Sequence, residues 1–183
     1  MAVAPIEEQP DMRPADRSLE TLFDNALPRI YGYILVRVGN KQSVAEELTQ
    51  ETMLAMAKAV AGPHPAIVDP IAWLFGTARY KVIDYYRSRE HADRPLVDWS
   101  GESAELAGFD DDLERIVDRD ELLAGLVRLP PGQRIALVLH YADGLSVAEI
   151  ALAFGKSEHA MESLLARGRR SLRKYLTDQE STQ

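Results

Sequence analysis

Apolar residues recur at helical spacing along most of the chain, and this periodicity predicts an all-α protein. The first such stretch carries its apolar residues at Leu19, Leu22, Phe23, Leu27, Ile30, Ile34, Leu35 and Val38. Pro28 lies within it and predicts a helix start or a kink. No segment alternates apolar and polar residues as a half-buried strand does, so we expect no β-sheet.

Two more helices are expected in the N-terminal half. Ser43-Val44-Ala45-Glu46 has the pattern of a capping box, and we predict that it opens a helix over roughly 44–60. The prolines within 62–70 restrict that stretch to a loop, and Asp69-Pro70 then opens a helix that includes 71–89. Three helices and this loop make one compact unit.

The C-terminal half predicts a second helical unit. Its first two helices are expected within 114–129 and 132–144, on either side of Pro130-Pro131. A second capping box, Ser146-Val147-Ala148-Glu149, opens a short helix that meets the turn Gly155-Lys156-Ser157. Two helices joined by a short turn with glycine form a helix-turn-helix pattern, whose second helix enters the major groove of DNA.

Charge is distributed unevenly along the chain. The net charge is −8, and residues 91–121 account for all of it, because they hold eleven carboxylates and three arginines. Residues 146–176 carry six bases and three acids, a balance of +3. Affinity for DNA comes largely from Lys and Arg that displace counterions from phosphates, so the basic segment is the one suited to DNA. The acidic segment has few apolar residues and predicts a flexible linker.

Together these patterns predict two small helical domains joined by an acidic flexible linker. The predicted segments are a disordered tail over 1–18, a helical domain over 19–92, the linker over 93–113, a helix-turn-helix domain over 114–178 and a tail over 179–183. No apolar run nears the ~18 residues that span a bilayer, so we expect a cytoplasmic protein without membrane insertion. The chain has no cysteine, and its four histidines are scattered. We therefore expect no metal site, no cofactor and no catalytic residue.

The helix that follows Ser157 has two distinct sides. Its apolar side carries Met161, Leu164, Gly168, Leu172 and Tyr175. Its opposite side, which suits base edges and phosphates, carries His159, Ser163, Ala166 and Arg170. Glu158 lies just after the Ser157 cap, where a carboxylate favourably meets the positive helix end. Glu162 lies at the margin of the polar stripe, and it either accepts a hydrogen bond from a cytosine amino group or lowers non-specific affinity.

Two parts of the chain resemble the sigma-70 family of bacterial RNA polymerase sigma factors, in its extracytoplasmic-function (ECF) class. "LPPGQRIALVLHYADGLSVAEIALAFGKSEHAMESLLARGRRSLRKYL" (129–176) is similar to region 4, which binds the −35 promoter element. "SVAEELTQETMLAMAKA" (43–59) resembles region 2.2, and "WLFGTARYKVIDYYRSR" (73–89) resembles regions 2.3 and 2.4. The resemblance implies an alternative sigma factor that binds core RNA polymerase, recognises the −35 and −10 elements and aids −10 melting.

The resemblance also implies protein partners. The clamp of the largest polymerase subunit would bind the residues that match region 2.2, which are Glu47, Leu48, Gln50 and Glu51. The flap of the second-largest subunit would bind the second domain. An anti-sigma factor would regulate the protein and hold it at the membrane. Taken alone, the acidic side chains of 43–59 are also compatible with an ordinary solvated helix face.

The helix over 71–89 mixes aromatic rings with bases. This combination holds single-stranded DNA, because bases stack on the rings while cations follow the backbone. By resemblance, this helix and the loop before it receive the −10 element, and the candidate contacts are His64, Trp73, Arg79, Tyr80, Lys81, Tyr85 and Arg87. Trp73 is also compatible with a core position. Tyr80 stands where the family often has Asn, so stacking would replace hydrogen bonds there.

The candidate −35 contacts are Ser157, His159, Glu162, Ser163, Arg167 and Arg170. The stretch 159–164 lacks two bases that the family's recognition helix usually has, so we expect a non-standard −35 preference. This loss also motivates a rival hypothesis, in which the chain is a sigma-like decoy that occupies an anti-sigma factor. A second rival hypothesis is a plain helix-turn-helix regulator. The acidic linker is either a solvated tether or an RNA-like chain that threads into polymerase.

Overall fold

The computed structural model describes residues 14–62, 67–90 and 119–180. All regular elements in these ranges are helical, which confirms the all-α prediction. The N-terminal bundle consists of α1 (Pro14–Arg37), α2 (Gln42–Ala61) and α3 (Pro70–Glu90). The C-terminal bundle consists of α4 (Arg119–Arg128), α5 (Pro131–Leu137), α6 (Val147–Phe154) and α7 (Glu158–Glu180). The predicted linker over 93–113 and the predicted start of the second domain at 114 lie outside the described residues.

The helices at both ends of the described chain extend further than predicted. α1 begins at Pro14, within the segment predicted as a tail. Proline suits the first turn of a helix because the N–H that it lacks would have no partner there. α1 continues through Pro28, which therefore does not start a helix. α7 reaches Glu180, two residues into the predicted tail over 179–183.

Only the second of the two predicted capping boxes forms. Ser146 Oγ accepts a hydrogen bond from the Glu149 backbone N–H at 3.2 Å, and the Glu149 carboxylate accepts one from the Ser146 N–H at 2.8 Å. α2 instead begins at Gln42, with no side-chain cap on its first turn. The reason is the tight turn before α2, in which Gly39 and Asn40 both have positive φ. After this turn the helix starts at Gln42, so Ser43 already lies inside it and cannot act as its cap.

Replacing Ser146 by alanine is expected to destabilise the C-terminal bundle at neutral pH, because it removes the α6 cap. The backbone N–H of Ser146 and, second, its hydroxyl donate to the Glu149 carboxylate and hold the pKa of Glu149 below its ordinary value of 4.5, and alanine removes only the hydroxyl. A carboxylate with a lowered pKa stabilises the fold above its ordinary pKa, and this contribution is lost as the pH falls through the folded-state pKa. Denaturant unfolding should therefore show a smaller difference between variant and parent below pH 4.5. A difference that does not change with pH would contradict this account.

Each bundle has its own fully buried centre. The side chains with the lowest exposure include Ile30, Ile34, Met56 and Leu74 in the first bundle, and Ile135, Leu139, Ile150, Met161 and Leu164 in the second. α5 continues directly into one π-helical turn, Val138–Ala142, which ends at Asp143. The two bundles touch where α1 lies against α4 and where α3 lies against α6. This contact determines which side chains of α3 stay open to solvent.

Candidate nucleic-acid and protein interfaces

α2 presents an exposed row of side chains on the side away from the core. Glu47, Gln50, Glu51 and Leu54 are all exposed, and their spacing of three and four residues places them along one side of the helix. We call these four residues the α2 face. Leu54 is 52% exposed and gives this acidic surface an apolar group at its C-terminal end. Sequence reasoning missed Leu54, although its position seven residues after Glu47 was a usable signal.

Leu48 does not belong to the α2 face. It is 6% exposed and lies in the buried row of α2 with Ala45, Thr52 and Met56. The prediction that Leu48 shares an exposed surface with Glu47 is therefore wrong. The physical reason is helical periodicity, because residues spaced by three and four from Ala45 all point into the bundle. The same spacing could have identified Leu48 as a core residue.

α3 carries a row of side chains spaced by seven residues, which places Trp73, Tyr80 and Arg87 on one side of the helix. Tyr80 is 62% exposed, and Arg87 is also exposed. Trp73 is half-buried and packs against the core of the bundle. The ring of Tyr80 is therefore the most open aromatic surface among the predicted −10 residues, with a guanidinium two turns away.

Lys81 connects α3 to the α2 face. Its Nζ lies 2.8 Å from Glu51 Oε2, and the two side chains are 30% and 45% exposed. An ion pair in contact with solvent to this extent contributes only about 0–1 kcal/mol to stability. The pair joins a predicted polymerase contact to a predicted DNA contact.

Tyr85, another candidate −10 contact, is half-buried. Its ring packs edge-on against Tyr86 with centroids 5.3 Å apart, and the Arg89 guanidinium lies 4.7 Å from its centroid. Its hydroxyl is buried without a hydrogen bond among the described residues. Burial raises the pKa of Tyr85, and the positive charge of Arg89 opposes this shift. Tyr85 therefore supports Tyr86 and the bundle rather than offering a free ring.

Arg79 lies at the boundary between the bundles. With Phe75 it lines one wall of a cleft of about 390 Å³. The other lining residues include Tyr33, Arg37, Ala142 and Asp143. Arg79 and Phe75 therefore face the C-terminal bundle across the cleft, whereas Tyr80 faces solvent.

The turn between α6 and α7 forms as predicted. Gly155 ends α6 with a φ of 63°, a left-handed conformation that glycine adopts without steric cost. The Lys156 N–H then donates to the Ala151 carbonyl at 2.9 Å. Ser157 caps α7, since its Oγ accepts a hydrogen bond from the Ala160 N–H at 3.2 Å. The described residues thus contain a complete helix-turn-helix.

The N-terminal half of α7 exposes a mixed-charge surface. Ser157, His159, Glu162 and Arg170 are exposed, and two of them, His159 and Arg170, belong to the polar side that the helical wheel predicts. Arg169 donates to the Tyr141 hydroxyl at 3.1 Å, and Tyr141 is itself 55% exposed. We call Ser157, His159, Glu162, Arg167 and Arg170 the α7 stripe.

Ser163 is an exception within the predicted stripe, because it is only 7% exposed. It lies on the side of α7 opposite Met161, but the Arg167 side chain folds back and donates from Nε to the Ser163 carbonyl at 3.4 Å. Helical side chains point towards the N-terminus, so Arg167 covers the turn before it. Ser163 is therefore buried in this structure, and its role as a −35 contact stays a prediction. The Arg167 Nη2 is buried without a hydrogen-bond partner among the described residues.

Comparison with known proteins identifies the family. Sigma-70 region 2 matches residues 22–92, and sigma-70 region 4 matches residues 119–172. The RNA polymerase sigma factor CarQ of Myxococcus xanthus is 30% identical over 166 residues, which cover 91% of this chain and 93% of CarQ. This chain belongs to the sigma-70 family. The N-terminal bundle is its region 2, and the C-terminal bundle is its region 4.

Further relatives place this sigma factor in the ECF class. The ECF sigma factor BldN of Streptomyces coelicolor is 34% identical over 161 residues, which cover 86% of this chain and 60% of BldN. The ECF sigma factor SigK of Mycolicibacterium vanbaalenii is 28% identical over 156 residues, which cover 84% of this chain and 79% of SigK. The chain thus spans less than two thirds of BldN. Among solved structures, the sigma factor RpoE from Bartonella quintana, crystallised with the anti-sigma factor NepR, has a TM-score of 0.47 and 22% identity over 88% of this chain and 98% of its own.

One candidate contact of this sigma factor, His64 in the loop before α3, lies outside the described residues. Within the described ranges, no helix is long and apolar enough to cross a membrane. The same ranges contain no cluster of three side chains that could hold a metal ion. The surfaces left to explain in regions 2 and 4 are therefore the α2 face, the open side of α3 and the α7 stripe.

Proposed function

We propose that this sigma factor binds core RNA polymerase in the cytoplasm and directs transcription from promoters with specific −35 and −10 elements. It would act by binding and positioning, with no catalytic group of its own. The observation that carries the proposal is the presence, in one chain and in the family's order, of regions 2 and 4, each with an exposed surface of suitable chemistry. A plain repressor would need only the helix-turn-helix.

For core polymerase, we propose the α2 face as the docking surface for the clamp. Its acidic side chains, Glu47 and Glu51, would pair with basic side chains of the clamp, and such complementarity mainly sets orientation and association rate. Leu54 would supply an apolar anchor beside these charges, and a few buried anchors carry most of the binding energy of an interface. The flap would bind region 4.

For −10 DNA, we propose that an unstacked base of the melted strand stacks on Tyr80. Stacking of a base on an aromatic ring is worth about 1–3 kcal/mol and offsets much of the cost of separating the strands. Arg87, Arg79 and Lys81 would follow the backbone of the same strand. The exposed pair with Glu51 is weak, so Lys81 is free to leave it for the strand.

For −35 DNA, we propose that the α7 stripe enters the major groove. Arg170 and Arg167 would contact phosphates or guanine, and the unpaired Arg167 Nη2 would find its hydrogen-bond partner there. His159 and Glu162 lie at the exposed start of the helix and would determine the base preference. Ser163 would contribute only after Arg167 swings towards DNA.

Run-off transcription with purified core polymerase tests the proposed function. The full chain is expected to produce transcripts from specific promoters, while the chain alone binds the same DNA weakly. Two small reading surfaces act together only when polymerase holds them at the right separation. No promoter-specific product, combined with tight binding to an anti-sigma factor, would favour a decoy. Strong operator binding without polymerase in a gel shift would favour a plain regulator.

We also propose that an anti-sigma factor regulates this protein, as expected for its class. Such a partner would compete with polymerase for region 2, region 4 or both. Addition of the purified candidate partner to the run-off assay is expected to abolish the promoter-specific product. Excess core polymerase should restore the product if the two compete.

Replacing Arg170 by alanine is expected to reduce transcription that depends on the −35 element by about tenfold, because one base or phosphate contact is worth roughly 1–3 kcal/mol. The measurement compares run-off product from paired templates with and without a −35 element. Product from the template without the element is the internal control and should not change. An equal loss on both templates would show that Arg170 acts through folding or polymerase binding.

A further inference from the structure

A buried ion pair joins region 2 to region 4. The Arg37 guanidinium of α1 pairs with the Asp143 carboxylate, with Nη2 on Oδ1 and Nε at 3.3 Å from Oδ2. The Tyr33 hydroxyl donates to the same carboxylate at 2.9 Å. The Arg37 and Asp143 side chains are each 7% exposed, so salt in the solvent screens their attraction little.

Region 2 holds its half of this contact in a defined position. Arg37 Nη1 donates to the Tyr33 carbonyl at 2.8 Å, and the guanidinium carbon lies 3.3 Å from the centroid of the Tyr33 ring. The Tyr86 hydroxyl donates to the Arg37 carbonyl at 2.8 Å. Burial raises the pKa of Tyr33 far above its ordinary value, so Tyr33 remains a hydrogen-bond donor. Asp143 is the acceptor that region 4 contributes, from the end of the π-helical turn.

A second arginine crosses the same boundary in the opposite direction. Arg134 of region 4 is 4% exposed, and its guanidinium lies on Gly39 where any larger side chain would collide. Its Nη1 donates to the Val127 carbonyl at 2.8 Å, whereas its Nε is buried without a hydrogen bond among the described residues. Buried polar groups without partners cost free energy that is recovered when water reaches them. Arg134 therefore adds a second buried contact across the boundary, on Gly39 of region 2.

The closed arrangement covers part of the α3 surface. Phe75 and Arg79 face region 4 across the cleft, and Asp143 lies in the opposite wall. We propose that the Asp143 contact is a latch that holds region 4 over region 2 and shields this side of α3 from DNA in the free protein. The inference rests on the proposed −10 role of α3. Release of Asp143 from Arg37 frees Arg79 for the DNA backbone.

Fluorescence energy transfer can measure the latch directly, because the natural chain contains no cysteine. Dyes on Lys58→Cys in α2 and Ala124→Cys in α4 report the separation of the two regions. Asp143→Asn leaves a buried arginine without its countercharge, so the ratio of open to closed molecules should rise by about tenfold or more. Tyr33→Phe removes one hydrogen bond and should give a smaller rise. Asp24→Asn, the same charge change at an exposed position of α1, should have no effect.

Binding of a single-stranded oligothymidine, measured by fluorescence anisotropy, tests the shielding. The open Asp143→Asn and Tyr33→Phe variants should bind it several-fold more tightly than the parent chain, in the order of their opening. Unchanged energy transfer in both variants, with helix content retained by circular dichroism, would overturn the latch. Opening without tighter binding would overturn the shielding.

The same variants separate this inference from the proposed function. Run-off transcription by Asp143→Asn with core polymerase should match the parent chain, because polymerase opens the latch in either case. A parent chain that fails to support transcription would refute the proposed function, whatever the energy transfer shows. Normal transcription with unchanged energy transfer would refute the latch alone.

Discussion

Replacing Glu47 by lysine and Gln50 by alanine together is expected to weaken binding of this sigma factor to core RNA polymerase by about tenfold or more. The lysine would face the basic clamp with a like charge, and the alanine would remove a hydrogen-bonding group from the same side of α2. Both residues are exposed, so region 2 should keep its fold. Competition with a labelled sigma factor for core polymerase measures the affinity.

The choice of Glu47 avoids a complication at Glu51. Glu51 pairs with Lys81 at 2.8 Å, so its reversal would disturb the proposed DNA surface as well as the docking surface. Asp24→Lys is the matched control, because it reverses an exposed acid on α1 of the same bundle. The control should bind polymerase like the parent chain. Equal affinities of both variants would rule out the α2 face as the docking surface.

Replacing Ile150 by alanine is expected to lower the free energy of unfolding of region 4 by about 2–5 kcal/mol. Ile150 is fully buried, and its removal leaves a cavity where α6 meets the bundle core. Small domains have only about 5–15 kcal/mol of stability in total, so the helix-turn-helix would be severely weakened. Denaturant unfolding followed by circular dichroism measures the change, and −35-dependent transcription should fall with it.

Leu152 provides an unusually close control for Ile150. It lies two residues later on the same helix, has the same number of carbon atoms and is 83% exposed. Leu152→Ala should therefore change stability by no more than about 0.5 kcal/mol. If both variants lost the same stability, α6 would not be oriented as described. Reduced transcription by Leu152→Ala without loss of stability would instead mark this exposed leucine as part of a protein contact.

The sequence predicted those local features whose cause lies within a few neighbouring residues. The α6 capping box, the Gly155 turn and the Ser157 cap all formed, because each depends on side chains that bond to backbone one turn away. The box at Ser43 failed because the preceding turn, with two residues at positive φ, starts α2 earlier. The capping-box motif covers only Ser43 to Glu46, so it carries no information about the turn that precedes it.

Helical periodicity was a good guide to burial where one side of a helix packs. It predicted the apolar side of α7, in which Met161 and Leu164 are almost fully buried. It would also have corrected Leu48, which the family resemblance had placed on the surface. It did not predict the burial of Ser163, which lies on the side of α7 opposite Met161.

The sequence by itself determined the all-α fold, the helix-turn-helix and the membership of the sigma-70 family. Periodicity, turn chemistry and motif order each depend on residues that are close together in the sequence. Only the tertiary structure decided which of the predicted contacts are open. Arg37 and Asp143 lie 106 residues apart and meet in a buried pair, and Arg79 faces the cleft beside them. Long-range contacts of this kind depend on how the two bundles pack against each other, and no local pattern encodes that packing.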